Sequence, residues 1–255
     1  MRRVLAQTRV ELLLTLRRGE SVLLTIAIPA IVLVFFTIVE ILPREYHRAF
    51  VAPISFTGPP IGRPLGAVLL PGVIALAVIA TGMVSLSIAT AFERQQGVLK
   101  RLGSTPLGRG GLLGAKMLST LALIALQVVV LGLVAVALVG SLPSLTPVAI
   151  AIVALGTATF TAIGFLLAGR LRAETNLAAA NGLFLVFLFL GGVIVPVSEL
   201  PEALAALARV LPAAPLSAAL RAAMLDGTPA SGDLMTLVGW TIVASALAAR
   251  SFRWE

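Results

Sequence analysis

Along the chain, apolar residues run without the two-residue alternation of a strand and are interrupted only at wide spacing by charge. The charge-free intervals are Ser21–Val39, Leu65–Phe92, Met117–Gly169, Thr175–Ser198 and Leu234–Ala249. A helix rises about 1.5 Å per residue and a bilayer's hydrocarbon core is about 30 Å thick, so about 20 residues cross it once. The 53-residue interval from Met117 to Gly169 is therefore two crossings. Its one turn is Gly140-Ser141-Leu142-Pro143-Ser144-Leu145-Thr146-Pro147, where glycine and two prolines stop a helix. The pattern predicts six helices over about 22–41, 67–92, 117–140, 147–169, 176–197 and 233–250. Continuous apolar runs exclude a membrane β-barrel, whose strands alternate. The fold class expected is all-α, a polytopic helical bundle.

Composition agrees with that pattern: of 255 residues 59% are hydrophobic and 12% charged, far from a soluble domain. The net charge of +8 would suggest nucleic acid in a soluble protein, but here its placement reads as topology. Fourteen of the 19 Lys and Arg fall on the side of the termini: Arg2, Arg3, Arg9, Arg17, Arg18, Arg94, Lys100, Arg101, Arg109, Lys116, Arg170, Arg172, Arg250 and Arg253. The opposite side holds Arg44, Arg48, Arg63, Arg209 and Arg221. Basic residues accumulate on the cytoplasmic side, so both termini are expected there, with no nucleic-acid partner. Glu40-Ile41-Leu42-Pro43 is not a small-residue cleavage site, and the first span reads as a retained anchor.

Three connecting segments carry patterns of their own. Residues 1–20 interleave Leu5, Leu12, Leu13 and Leu16 with arginines, which suits a helix lying in the lipid interface or, more plainly, a positive-inside leader. In the segment 93–107, Val98, Leu99 and Leu102 share one side of a helix. Glu93, Arg94, Gly97, Lys100 and Arg101 occupy the other, and Gly103 to Pro106 ends it. Such an element either docks a soluble partner or lies on anionic lipid as a connector. Residues 198–225 hold a short Ala- and Leu-rich helix, Glu202 to Leu211, among prolines. It is too short to cross, so it reads as a re-entrant hairpin or, alternatively, a plain external loop.

Chemistry is sparse. There is no Cys and one His, His47, so a disulfide framework, a Cys/His zinc site and a Ser-His-Asp triad are excluded. No G-x-x-x-x-G-K-[ST] loop occurs, and Gly108-Arg109-Gly110-Gly111 lacks its lysine. The spans hold essentially no ionisable group except Glu40, one turn from Arg44 at the outer edge, which argues against a self-sufficient proton-coupled carrier. An intramembrane enzyme would need clustered acids, histidines or a metal site. Polar span residues are few. Thr81 and Ser85 on the second span, with Asn181, Phe184 and Leu188 on the fifth, are the candidate translocation surface. A mostly apolar lining with sparse hydrogen-bond groups favours an amphipathic, lipid-like or hydrophobic drug-like cargo.

Taken in order, several motifs resemble the membrane subunits of type 2 (ABC-2) ATP-binding-cassette exporters. They are Pro71-Gly72, the run Glu93-x-x-x-Gly97-x-Leu99-Lys100-Arg101-Leu102-x-x-Thr105-Pro106-Leu107, Lys116 and Gly164. Further on come Gly192-Val193-x-x-Pro196-x-x-x-Leu200-Pro201, Pro215 and Ala219-Leu220-Arg221. The resemblance implies a permease half that pairs with a second permease, identical or paralogous, and docks two cytosolic ABC-type ATPases. It implies an N-terminal connecting helix on about residues 2–18 and a translocation path between the second and fifth spans. It also implies a coupling helix that contacts the ATPase through Glu93, Arg94, Gly97, Leu99, Lys100, Arg101, Leu102 and Pro106. By the same resemblance this chain binds no cofactor, ATP and Mg belonging to the partner, and it resides in the bacterial inner membrane. Gln95 and Gln96 depart from the more acidic sequence of many relatives. The reading from another class is a six-helix assembly factor without a transport role, which would purify without an ATPase.

Overall fold

The computed structural model describes residues 2–17, 19–38, 65–103, 107–140, 145–193, 197, 200–229 and 231–252, and every regular element among them is helical. The chain opens with α1 (Arg2–Arg17) and α2 (Gly19–Ile38). Leu5, Val10, Leu13 and Leu14 of α1 stay exposed although the helix packs along the start of the third span. The predicted first span falls on α2, while Glu40, Arg44 and His47 lie outside the described residues.

The second span is one continuous rod with a widened turn at its middle: α3 (Leu65–Ile79), a π-helical turn (Ala80–Ser85) and α4 (Leu86–Gln95). The sequence predicts an end at residue 92, but nothing stops the helix until Gly97, whose φ of +72° is the left-handed conformation glycine adopts without a Cβ clash. A six-residue helix, α5 (Val98–Gly103), follows the corner. The predicted single helix from Glu93 is therefore two elements.

The third span is also longer than charge boundaries suggest. Helix α6 runs Gly108–Val139, 32 residues or roughly 48 Å, and ends at left-handed Gly140. Lys116 lies within it instead of marking its start. Helix α7 (Pro147–Arg170) begins as its sequence predicts: Pro147 occupies the first turn and Thr146 caps it, accepting from the Ala149 amide at 3.1 Å. Helix α8 (Ala173–Leu190) stops before the predicted residue 197, because Gly191 and left-handed Gly192 end it. Two short helices, α9 (Glu202–Val210) and α10 (Ala213–Arg221), meet at a sharp bend, measured as 85° between Glu202–Val210 and Ala213–Leu225, and a second π-turn, Ala222–Asp226, prolongs α10. Helix α11 (Ser231–Ser251) closes the fold.

By length and hydropathy, five helical segments among the described residues suffice to cross a bilayer: Val68–Gln95, Gly110–Leu138, Pro147–Arg170, Ala173–Leu190 and Ser231–Ser251. Helix α2 carries a shorter apolar stretch, Thr25–Phe35. The core gathers Leu70, Ile74, Ile79, Met83, Ile124, Ile152, Phe160 and Leu216 from α3, its π-turn, α6, α7 and α10. Backbones approach closely at Gly164 of α7: a Cβ there would lie 2.9 Å from the Gly82 carbonyl and 3.1 Å from that of Met83. The widened turn of the second span thus seats directly on the fourth, backbone to backbone. On the periphery, α8 and α11 expose Leu185, Val186, Phe189, Met235, Ile242 and Val243. In water such a surface would aggregate; in lipid it is the expected exterior.

Candidate functional site

At the end of the second span, α4 closes with Gln96 N–H donating to the Phe92 carbonyl (2.9 Å) and Gly97 N–H to that of Arg94 (3.0 Å). The chain then turns, and Arg101 N–H bonds back to Gly97 (3.2 Å) to start α5. Leu99 is fully buried against the bundle, Leu102 is half-buried, and Lys100 and Arg101 are exposed. Helix α5 is thereby pinned by an apolar residue and shows its basic pair outward.

The other residues predicted for the partner surface point elsewhere. Glu93 makes an ion pair with Lys116 at 2.7 Å. The Arg94 guanidinium donates to the Leu171 carbonyl, and Gln95 Nε2 to Glu174 Oε1 at 3.1 Å, tying the end of α4 to the turn between α7 and α8. Gly97 is the corner, and Pro106 lies outside the described residues. Of the residues predicted to contact a partner, Lys100 and Arg101 are exposed on α5.

Sequence reasoning missed a largely buried cluster of three charges. Lys116 Nζ lies 3.0 Å from Glu11 Oε2 of α1 and 2.7 Å from Glu93 Oε2 of α4, and the three side chains are 3%, 12% and 19% exposed. Gln7 Nε2 also donates to Glu11 Oε1 (3.0 Å). The signal was present: Glu11 is the only acid between Arg2 and Arg17, and Lys116 is one of two lysines in the chain. Counting charges as boundaries treated Lys116 as a loop residue, whereas its two carboxylates let it enter the helix packing.

A cavity of about 430 Å³ opens beside this triad, with Thr81, Ser85, Phe92 and Ser119 also on its wall. A smaller one, about 220 Å³, lies between α2, the second span and α8 and is lined by Thr25, Pro29, Ser85, Asn181 and Phe184. The structure thus brings together Ser85, Asn181 and Phe184 from the predicted path. Thr81 lines the other cavity, again with Ser85, and its Oγ1 accepts from Gln127 Nε2 at 2.9 Å as the same amide reaches the Thr25 carbonyl at 3.3 Å. Leu188 is half-buried and lines neither cavity.

At the opposite end, the short helices are fastened to the break after α8. Ser217 Oγ donates to the Gly191 carbonyl and Arg221 Nη2 to that of Gly192 (3.0 Å). Gly72 sits under the same corner, with space for a Cβ limited by the Val193 carbonyl at 3.2 Å. Trp240 Nε1 donates to the Val210 carbonyl (2.7 Å), holding α9 against α11. Arg221, predicted as a loop charge, is thus part of the packing.

Among the described residues no group of three or more His, Cys, Asp or Glu stands close enough to hold a metal ion. What the geometry provides is mechanical: a stub helix rigidly fixed to the bundle at one end, glycine-seated helix contacts at its centre, and bent short helices at the other. The family described as ABC-2 type transporter matches the chain over residues 2–225. No curated protein matches it. With nearly the whole chain covered by that family, the protein belongs to the ABC-2 type transporters as a multi-pass membrane permease component, a kind of subunit that works with ABC ATPase chains.

Proposed function

We propose that this chain is one permease half of an ATP-driven exporter in a bacterial inner membrane. It pairs with a second permease, engages two cytosolic ATPases, and moves an amphipathic, lipid-like or hydrophobic drug-like cargo outward by alternating access. Six crossings, by α2, the second span, α6, α7, α8 and α11, put both termini on one side, and the Lys and Arg bias of the sequence supports the cytoplasm as that side. The bent pair α9 and α10 re-enters without crossing, since nine residues rise only about 14 Å. The alternative, in which the bent pair crosses, would require one apolar rod where the chain turns by 85°.

The observation that carries the reading is α5. It is short and clamped to the bundle by fully buried Leu99, with Lys100 and Arg101 turned out. A lever of this kind passes on a partner's motion because its anchor does not slide, and its exposed charges set register with the partner. Asn181, Phe184 and Ser85 around the groove between α2, the second span and α8 support a path on that side. The test uses the absence of cysteine in the chain: a thiol-directed photocross-linker on Lys100→Cys, activated in native membranes, is expected to capture an ABC ATPase. The same reagent on Thr228→Cys is expected to capture none. Capture of an ATPase from both positions, or from neither with the protein folded, would refute the docking assignment.

A further inference from the structure

The larger cavity has a charge sign that the family assignment does not supply. Glu11, Glu93 and Lys116 are the ionisable residues on its wall among the described residues, and with both carboxylates ionised they sum to a single negative charge. Their exposure is unequal. The lysine side chain is 3% exposed, against 12% for Glu11 and 19% for Glu93, so the two carboxylates are the more accessible members of the triad on a wall that all three line.

Acceptor capacity is also left over. A carboxylate offers about four lone-pair sites. Glu11 uses its two oxygens on Gln7 and Lys116, one contact each. Glu93 Oε2 is taken up by its ion pair with Lys116 at 2.7 Å, so whatever Glu93 offers a ligand comes from its other oxygen. Around these groups the walls are apolar, with Leu14, Ile88, Leu123 and the part-exposed ring of Phe92. An aromatic side chain and two carboxylates on one wall suit a cation with an apolar body, and a volume of about 430 Å³ is within the range of small-molecule sites.

We propose that this cavity, between α1, the second span and α6, binds a lipophilic cation: a compact molecule with an apolar body and one positive charge, placed against Glu11 and Glu93. The site differs from the groove at Asn181, although Ser85 borders both. Occupancy would bear on the three helices that Lys116 joins, including the rod that leads into α5. As a cargo site it rests on the exporter reading; as a binding site it does not, and it can be measured without an ATPase or transport.

The probe is a pair of ions of nearly the same shape and opposite sign, tetraphenylphosphonium and tetraphenylborate. Each is equilibrated by dialysis with the full chain in maltoside micelles, with uptake by empty micelles subtracted. Saturable binding of the phosphonium is expected for the wild type, and none of the borate. Glu11→Gln and Glu93→Gln, which keep shape while removing charge, are expected to weaken phosphonium binding by about tenfold or more. Ala89→Phe, which fills the cavity without changing charge, is expected to abolish it. The proposal is overturned by absent phosphonium binding, by borate binding as strongly, or by folded glutamine variants that bind like the wild type. If those variants fail to fold, the two ions on the wild type and the Ala89→Phe protein decide. A phosphonium isotherm without any co-purifying ATPase would sink the exporter reading and keep the site; the reverse would sink the site alone.

Discussion

Lys116 shows how a single residue joins three segments that lie far apart in sequence. Its ammonium is held by Glu11 and Glu93 and is almost wholly enclosed. Removing one partner of a buried ion pair leaves charge without compensation, a loss on the order of 3 kcal/mol or more. Lys116→Ala is therefore expected to lower the thermal midpoint of the detergent-solubilised protein sharply. Lys116→Ala combined with Glu11→Gln and Glu93→Gln, which removes the stranded anions, should recover part of that loss. A single variant that melts like the wild type would show that the triad carries no stability. Gly164 makes a different case, one of volume: the space where a Cβ would go is bounded by backbone of Gly82 and Met83, which cannot rotate away. Gly164→Ala is expected to destabilise by about 1–3 kcal/mol. Gly239→Ala on α11, where nothing lies within 4 Å, should be neutral or slightly stabilising in the same melting experiment. Equal effects from the two would contradict the close seating of the second span on the fourth.

Among elements, the corner between α4 and α5 matters most. Gly97 adopts φ +72° with nothing within 4 Å of its missing Cβ, so the constraint is conformational and not steric crowding. Alanine pays roughly 1 kcal/mol there, whereas asparagine tolerates the left-handed region better. Gly97→Ala is expected to fold yet lower ATPase activity of the assembled complex, and Gly97→Asn to restore much of it. If both behave as wild type, the corner does not set the position of α5. The sequence made α5 legible through Val98, Leu99 and Leu102, and made the start of α7 legible through the turn from Gly140 to Pro147. Its reading failed where a charge did not mark a boundary. Glu93 and Lys116 are charges inside helix packing, compensated by partners that are remote in sequence, and no local pattern states that pairing. The end of α8 was misread for a related reason, since apolarity continues past Gly191 and only the backbone of Gly192 shows the turn.

For the whole molecule, helical class and the order of long segments followed from the spacing of charge, because a bilayer demands a length of apolar helix that water does not. Which polar residues meet could not follow from it. Ser85, Asn181 and Phe184 share a cavity while Thr81 is bound to Gln127, a partner on another helix that no local pattern names. The proposed topology has a direct consequence in a chain without cysteine. A membrane-impermeant maleimide added to intact cells should label Thr228→Cys and spare Arg250→Cys, and in inverted vesicles the preference should reverse. Labelling of both from one side would remove the six-crossing arrangement.

The central claim is that energy for this permease arrives from another chain through α5. The most direct measurement is purification of the tagged protein in mild detergent from its native membrane, with identification of its companions and an ATPase assay on the same sample. An ABC ATPase and its activity are predicted to accompany the wild type and to be lost with Lys100→Glu combined with Arg101→Glu, while the permease remains folded and monodisperse. A stable, folded complex containing no nucleotide-hydrolysing chain, or full activity retained by the charge-reversed pair, would contradict the account.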